Sequence, residues 1–107
     1  MARPAPLAVG LVRAAPRKTM QERFRGKVRF GAWALKEGYA LVETFEVSSA
    51  PAQDAKTIGA VRDLVDRCSI PTLIVMDDVP EQAVDRVRVG HELRVLTVAP
   101  ELVETQR

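Results

Sequence analysis

Leu7-Ala-Val-Gly-Leu-Val12 decides the fold, because it is a short, uninterrupted apolar run of the kind a strand shows when it is buried on both faces. A strand with one wet face would alternate instead. Pro16 ends the run, and Pro71-Thr-Leu-Ile-Val-Met76 repeats the pattern further on. Two such strands in one chain of 107 residues call for a central sheet covered on both sides.

Outward from Val12, Met20, Phe24, Val28, Ala32 and Leu35 recur at helical spacing and fall within an arc of about 120°. They predict a helix over 19–37 with this stripe turned to the core. Thr19 is its expected N-cap, with Glu22 three residues on as the capping-box partner, and Gly38 its stop. Tyr39 to Phe45 alternates and is rich in β-formers, so it reads as a second strand. Ala55, Ile58, Val61, Leu64, Val65 and Cys68 then mark a second helix. Glu81 to Val89 suits a short third helix with Ala83, Val84 and Val87 inward, and Leu93 to Val98 a fourth strand. The expected fold class is α/β, a small, doubly wound, mostly parallel four-stranded sheet in the order β-α-β-α-β-α-β, flavodoxin-like or resolvase-like. One domain is expected over 1–107, with residues 1–5 and 100–107 as loose tails.

Composition fits one soluble core. Hydrophobic residues at 47 % and charged residues at 28 % exclude a disordered or fibrous chain. Arg13 breaks the apolar run from Pro6 too early for a signal peptide or a membrane span, so a cytoplasmic location and no membrane partner are expected. The single cysteine, Cys68, reads as an apolar filler on a helix face. Charge is uneven. Residues 1–37 carry nine Lys/Arg against two Glu, a net +7, and the remaining seven Lys/Arg against twelve Asp/Glu leave −5. Such a dipole favours a polyanion at one end or head-to-tail association.

In open parallel sheets functional groups gather at the carboxyl ends of the strands. That directs attention to Arg13 to Lys18, Glu46 to Ser49 and Asp77 to Glu81. Leu11-Val12-Arg13-Ala14-Ala15 resembles the end of the first strand in serine recombinases of the resolvase and invertase type, where the motif is Tyr-x-Arg-Val-Ser. Glu37-Gly38-Tyr39-Ala40-Leu41-Val42-Glu43 resembles that family's Gly-Tyr-x-Leu entry into the second strand, and Ala32-Trp33-Ala34 looks like the helix of a degenerate actinobacterial group. The resemblance spans roughly residues 7–98 and implies the family's catalytic-domain fold.

The departures carry the functional expectation. Arg13 matches, but Ala15 stands where the nucleophilic serine should be, and Leu73-Ile-Val-Met-Asp-Asp-Val-Pro80 has acids where the family has an Asp-Arg pair. Cutting DNA by that route needs a hydroxyl to attack phosphorus and cations to stabilise the phosphate. A methyl group cannot attack. The family's dimerisation helix and helix-turn-helix are not expected in a chain that ends at Arg107. Expected, then, is a catalytically silent domain without cofactor or metal, acting through a homodimer or another protein partner. DNA is the alternative partner, through a modulating role on an active recombinase.

Phosphoryl-accepting receiver domains share the doubly wound fold and place an Asp where Asp77 or Asp78 stands. They also need two acids at the end of the first strand for Mg²⁺, where this chain has Arg13-Ala14-Ala15. Asp77-Asp78 therefore reads as a solvated turn or helix cap, and His91, after Gly90, as a surface or packing residue. Arg13, Arg17, Lys18, Arg25 and Arg29 are the candidate anion or nucleic-acid contacts. Phe30 and Trp33, which at 100° per residue point away from the Met20 to Leu35 stripe, are the candidate protein interface.

Overall fold

The computed structural model describes residues 4–48 and 51–104, so Ser49 and the outer ends of the expected tails, 1–3 and 105–107, lie outside the described residues. Its elements are β1 (Leu7–Arg13), α1 (Met20–Lys36), β2 (Ala40–Val47), α2 (Pro51–Cys68), β3 (Thr72–Met76), α3 (Glu81–Arg88), β4 (Arg94–Val98) and α4 (Pro100–Glu104). The strands form one all-parallel sheet in the order β2-β1-β3-β4. This is the doubly wound, flavodoxin-like arrangement. The two apolar runs, 7–12 and 71–76, supply its central strands: Ala8 to Leu11 are buried, and so are all five residues of β3.

Because β1 leads outward to β2 and the chain then crosses back to β3, right-handed connections place α1 on one face and α2 and α3 on the other. In agreement, α2 packs on α3 and α1 on α4. Two corrections follow on the α2 side. Ile58, Val61 and Val65 are buried, but Ala55 and Cys68 are exposed, so the thiol is not a core filler. Asp54 is buried in place of Ala55. Its Oδ1 accepts the Ser48 N–H at 2.8 Å and the Ser48 hydroxyl at 3.0 Å, tying the first turn of α2 to the end of β2. His91 packs as expected. Its ring nitrogens lie 2.7 Å from Asp66 Oδ1 and 3.2 Å from the Val89 carbonyl, pinning the α3–β4 turn to α2.

Helix α1 starts where the capping residue predicts: Thr19 Oγ1 accepts the Glu22 N–H at 3.1 Å. It ends in a Schellman turn at Gly38, φ 95°, with the Gly38 N–H on the Leu35 carbonyl and the Tyr39 N–H on the Ala34 carbonyl. The face it buries is not the expected one. Phe30, Trp33 and Ala34 are in the core, whereas Met20, Phe24, Val28 and Leu35 are exposed. The helix is rotated by about 150° from the sequence expectation.

The reason lies in the sheet. Gly10, in the middle of β1, leaves a hollow where an added Cβ would stand 2.8 Å from the Phe30 ring, and Phe30 fills it. Beside Phe30, Trp33 packs at a ring-centroid distance of 6.3 Å. Both aromatics are therefore interior, and the expectation that they form an exposed contact surface is overturned. The segment after β4 is also firmer than a loose tail, since α4 packs on α1 and buries Val103.

Candidate functional site

At the carboxyl ends of β1 and β3, where strand order reverses, the structure opens a cavity of about 230 Å³. Arg13, Ala14 and Ala15 line it from the end of β1, Met76 and Asp78 from β3 and the turn beyond, and Pro100 and Val103 from α4. Helix α1 and the residues before it add Lys18, Glu22, Arg23, Gly26, Lys27 and Arg29. Of the five candidate cations, Arg13, Lys18 and Arg29 are brought together here. Arg17 and Arg25 are exposed outside the cavity.

Two further cations are committed to the fold. Arg23 grips Glu46 of β2 with two hydrogen bonds, Nε at 3.0 Å and Nη2 at 2.9 Å from its two oxygens, and Lys27 Nζ lies 3.6 Å from Glu46 Oε1. Burial pushes the Glu46 carboxyl up, but the Arg23 hydrogen bonds and the charges of Arg23 and Lys27 outweigh it and hold the group below the ordinary glutamate range. Arg13, Lys18 and Arg29 have no ion-pair partner among the described residues. With Glu22 and Asp78 also in the lining, five Lys/Arg face three Asp/Glu around the cavity, a net charge of +2. Ala15 lines the same space, and none of the described residues that line it is a serine, threonine or tyrosine.

A depressed carboxylate stabilises the fold at pH above its unfolded pKa of about 4.3, and that contribution disappears as pH falls through the lower folded value. Glu46→Gln is accordingly expected to lower the urea midpoint at pH 7 and to converge on the parent chain near pH 3. Urea titrations at pH 3, 5 and 7 measure this; a constant offset at all three would remove the ion pair as its cause.

Glu46 was visible in the sequence as a strand-end acid, but nothing in spacing linked it to Arg23 and Lys27, because the pairing depends on which face of α1 meets the sheet. The stripe Met20, Phe24, Val28 and Leu35 has the periodicity of a core face, but the structure places it in solvent. Among the described residues no group of three or more His, Cys, Asp or Glu is placed to hold a metal ion, and no helix is long and apolar enough to cross a membrane. Compared with protein-family models, curated proteins and solved structures, the chain matches none.

Proposed function

We propose that this chain is an interaction module built on a catalytically silent, recombinase-like domain, and that it binds a protein through one flank of α1. A single observation carries this reading: Met20, Phe24, Val28 and Leu35 are 84 %, 67 %, 55 % and 66 % exposed on the same side of one helix. Scattered apolar residues on a surface mean little, but a contiguous strip on a rigid element is the signature of a contact. Silence as a nuclease is supported by Ala15, which lines the cavity at the position the resemblance gives to the nucleophile.

The test is site-specific photo-crosslinking in cells, with the reactive residue in place of Val28 on the flank or Asp85 on the opposite side of the sheet. A defined protein adduct is expected from position 28, absent from 85 and lost on Phe24→Glu. Identical adduct patterns from both positions would sink the reading.

A second reading is favoured by Arg13, Lys18 and Arg29 around the cavity, which form no ion pair among the described residues: a DNA-associated role, alongside an active recombinase. Neutralising phosphates with these side chains would make affinity fall steeply with salt. No retention on duplex DNA at low salt would dismiss it.

A further inference from the structure

We infer that the exposed flank of α1 is covered by the same flank of a second copy of this chain, the two helices running antiparallel about a two-fold axis between Val28 and Gly31. This rests on the reading of the flank as a protein-binding surface and names its occupant.

The spacing of the flank supplies the first argument. Phe24, Val28, Gly31 and Leu35 are separated by four, three and four residues, the step of a helix–helix seam, and with Met20 they lie within an arc of about 80°. A two-fold axis between Val28 and Gly31 sets Phe24 against Leu35 of the second copy and Val28 against Gly31 of the second copy. Both pairings occur twice, as an isologous interface requires. Large faces small at the axis, and the two largest side chains of the seam meet outside it.

Gly31 supplies the second. A glycine inside a helix costs about 1 kcal/mol relative to alanine, and it persists where something must approach closely. Among the described residues nothing does: an added Cβ at Gly31 would find no atom within 4 Å. Gly26, on the same helix but off the seam, is equally bare; what sets Gly31 apart is its place inside the apolar strip, where the two-fold axis would bring a second helix closest.

Area supplies the third. The exposed parts of Met20, Phe24, Val28 and Leu35 sum to roughly 500 Å², the upper range for a patch on a monomer. A stable dimer needs about 800 Å² from each partner, of which about 65 % is apolar in homodimers. Phe24, Val28 and Leu35 supply most of that apolar fraction across the seam, and Met20 adds the rest opposite position 39, just past the end of the second copy's α1. The cations Arg25, Arg29 and Lys36 stand outside the seam and are shared by both copies, so the pairing carries a repulsion that salt screens. Association is expected to tighten as salt rises, whereas capture of an acidic protein or of DNA would weaken.

Sedimentation equilibrium of the purified chain from about 1 to 100 µM, at low and high salt, reads the assembly directly. The expected result is a two-chain mass at the upper concentrations, favoured by salt. Phe24→Glu is expected to weaken it at least about thirtyfold while the monomer still unfolds cooperatively. Gly31→Leu separates contact from folding. It should raise the melting temperature of the monomer through helix propensity and yet weaken the dimer about tenfold or more. As a geometric readout, Val28→Cys in a Cys68→Ser background should form an intermolecular disulfide on mild oxidation, and Asp85→Cys should not.

A mass of one chain at every concentration and salt would overturn the inference. The broader reading would then stand or fall separately on whether crosslinking from position 28 in cells yields a different protein. A dimer that Gly31→Leu and Phe24→Glu leave intact would also overturn it, by placing the interface elsewhere.

Discussion

Phe30→Ala is expected to cost about 3–5 kcal/mol of folding stability, whereas Phe24→Ala, six residues earlier on the same helix, should change it by no more than about 0.5 kcal/mol. Phe30 has no exposed surface and lies against Gly10 and Trp33; Phe24 is two-thirds exposed. Truncating the first removes a ring from a packed interior and leaves a cavity between helix and sheet. Truncating the second returns a side chain that was already in water. Against a total stability of about 5–15 kcal/mol for a domain of this kind, the Phe30 variant would lose a large fraction of its margin. Urea unfolding at a concentration low enough to keep the chain monomeric measures both, since association would add stability to the parent and obscure the contrast. Equal losses at the two positions, or a larger loss at Phe24, would return the Met20 to Leu35 stripe to the core and with it remove the proposed contact surface.

The contrast between Phe30 and Phe24 is a property of tertiary packing that the helix sequence alone does not encode. The sheet was legible because a strand buried on both faces leaves an unmistakable trace: Leu7 to Val12 and Thr72 to Met76 have almost no polar residue to place. The helix limits were legible from Thr19 and Gly38, whose side chain and backbone freedom act locally. The orientation of α1 was not. Its sequence carries two apolar faces, one with Met20, Phe24, Val28 and Leu35 and one with Phe30, Trp33 and Ala34, and periodicity favours whichever has more members. The sheet chose the smaller set. Phe30 fits the hollow at Gly10, and the stems of Arg23 and Lys27 lie along the same side while their charges reach Glu46. A count of apolar residues cannot register a hollow made by the absence of a side chain on another element.

The same limit applied to the candidate site. Arg13, Lys18 and Arg29 were recognisable as cations near strand ends, and they do meet at one cavity. Which cations would be left without a partner depended on Glu46 taking Arg23 and Lys27, a matter of helix rotation again. One rotation of one helix thus set three things together: the aromatics in the core, the free charges at the cavity and the apolar strip on the surface.

Gly10→Val is expected to be the most damaging single substitution on the sheet, at about 3 kcal/mol or more, and Gly10→Ala to cost about 1–3 kcal/mol. Elsewhere in a strand, replacing glycine by alanine stabilises by up to about 1 kcal/mol, because the unfolded chain loses freedom. At Gly10 that gain is opposed by contact: an added Cβ would lie 2.8 Å from a ring carbon of Phe30, 3.2 Å from Thr44 Oγ1 and 3.3 Å from a methyl of Leu41. The first of these atoms belongs to a fully buried ring braced by Trp33, and Thr44 is pinned as the registered neighbour of Gly10 on β2. Relief therefore requires α1 to lift from the sheet, and valine requires more lift than alanine. Combining Gly10→Ala with Phe30→Leu should recover part of the loss, because the smaller side chain vacates the space the new methyl needs. A coupling of about 1 kcal/mol in the double-mutant cycle, read from urea midpoints, is the expected outcome. Additive losses would show that the glycine and the ring do not touch, and a stabilising Gly10→Ala would mean that α1 rests on the sheet through a different face.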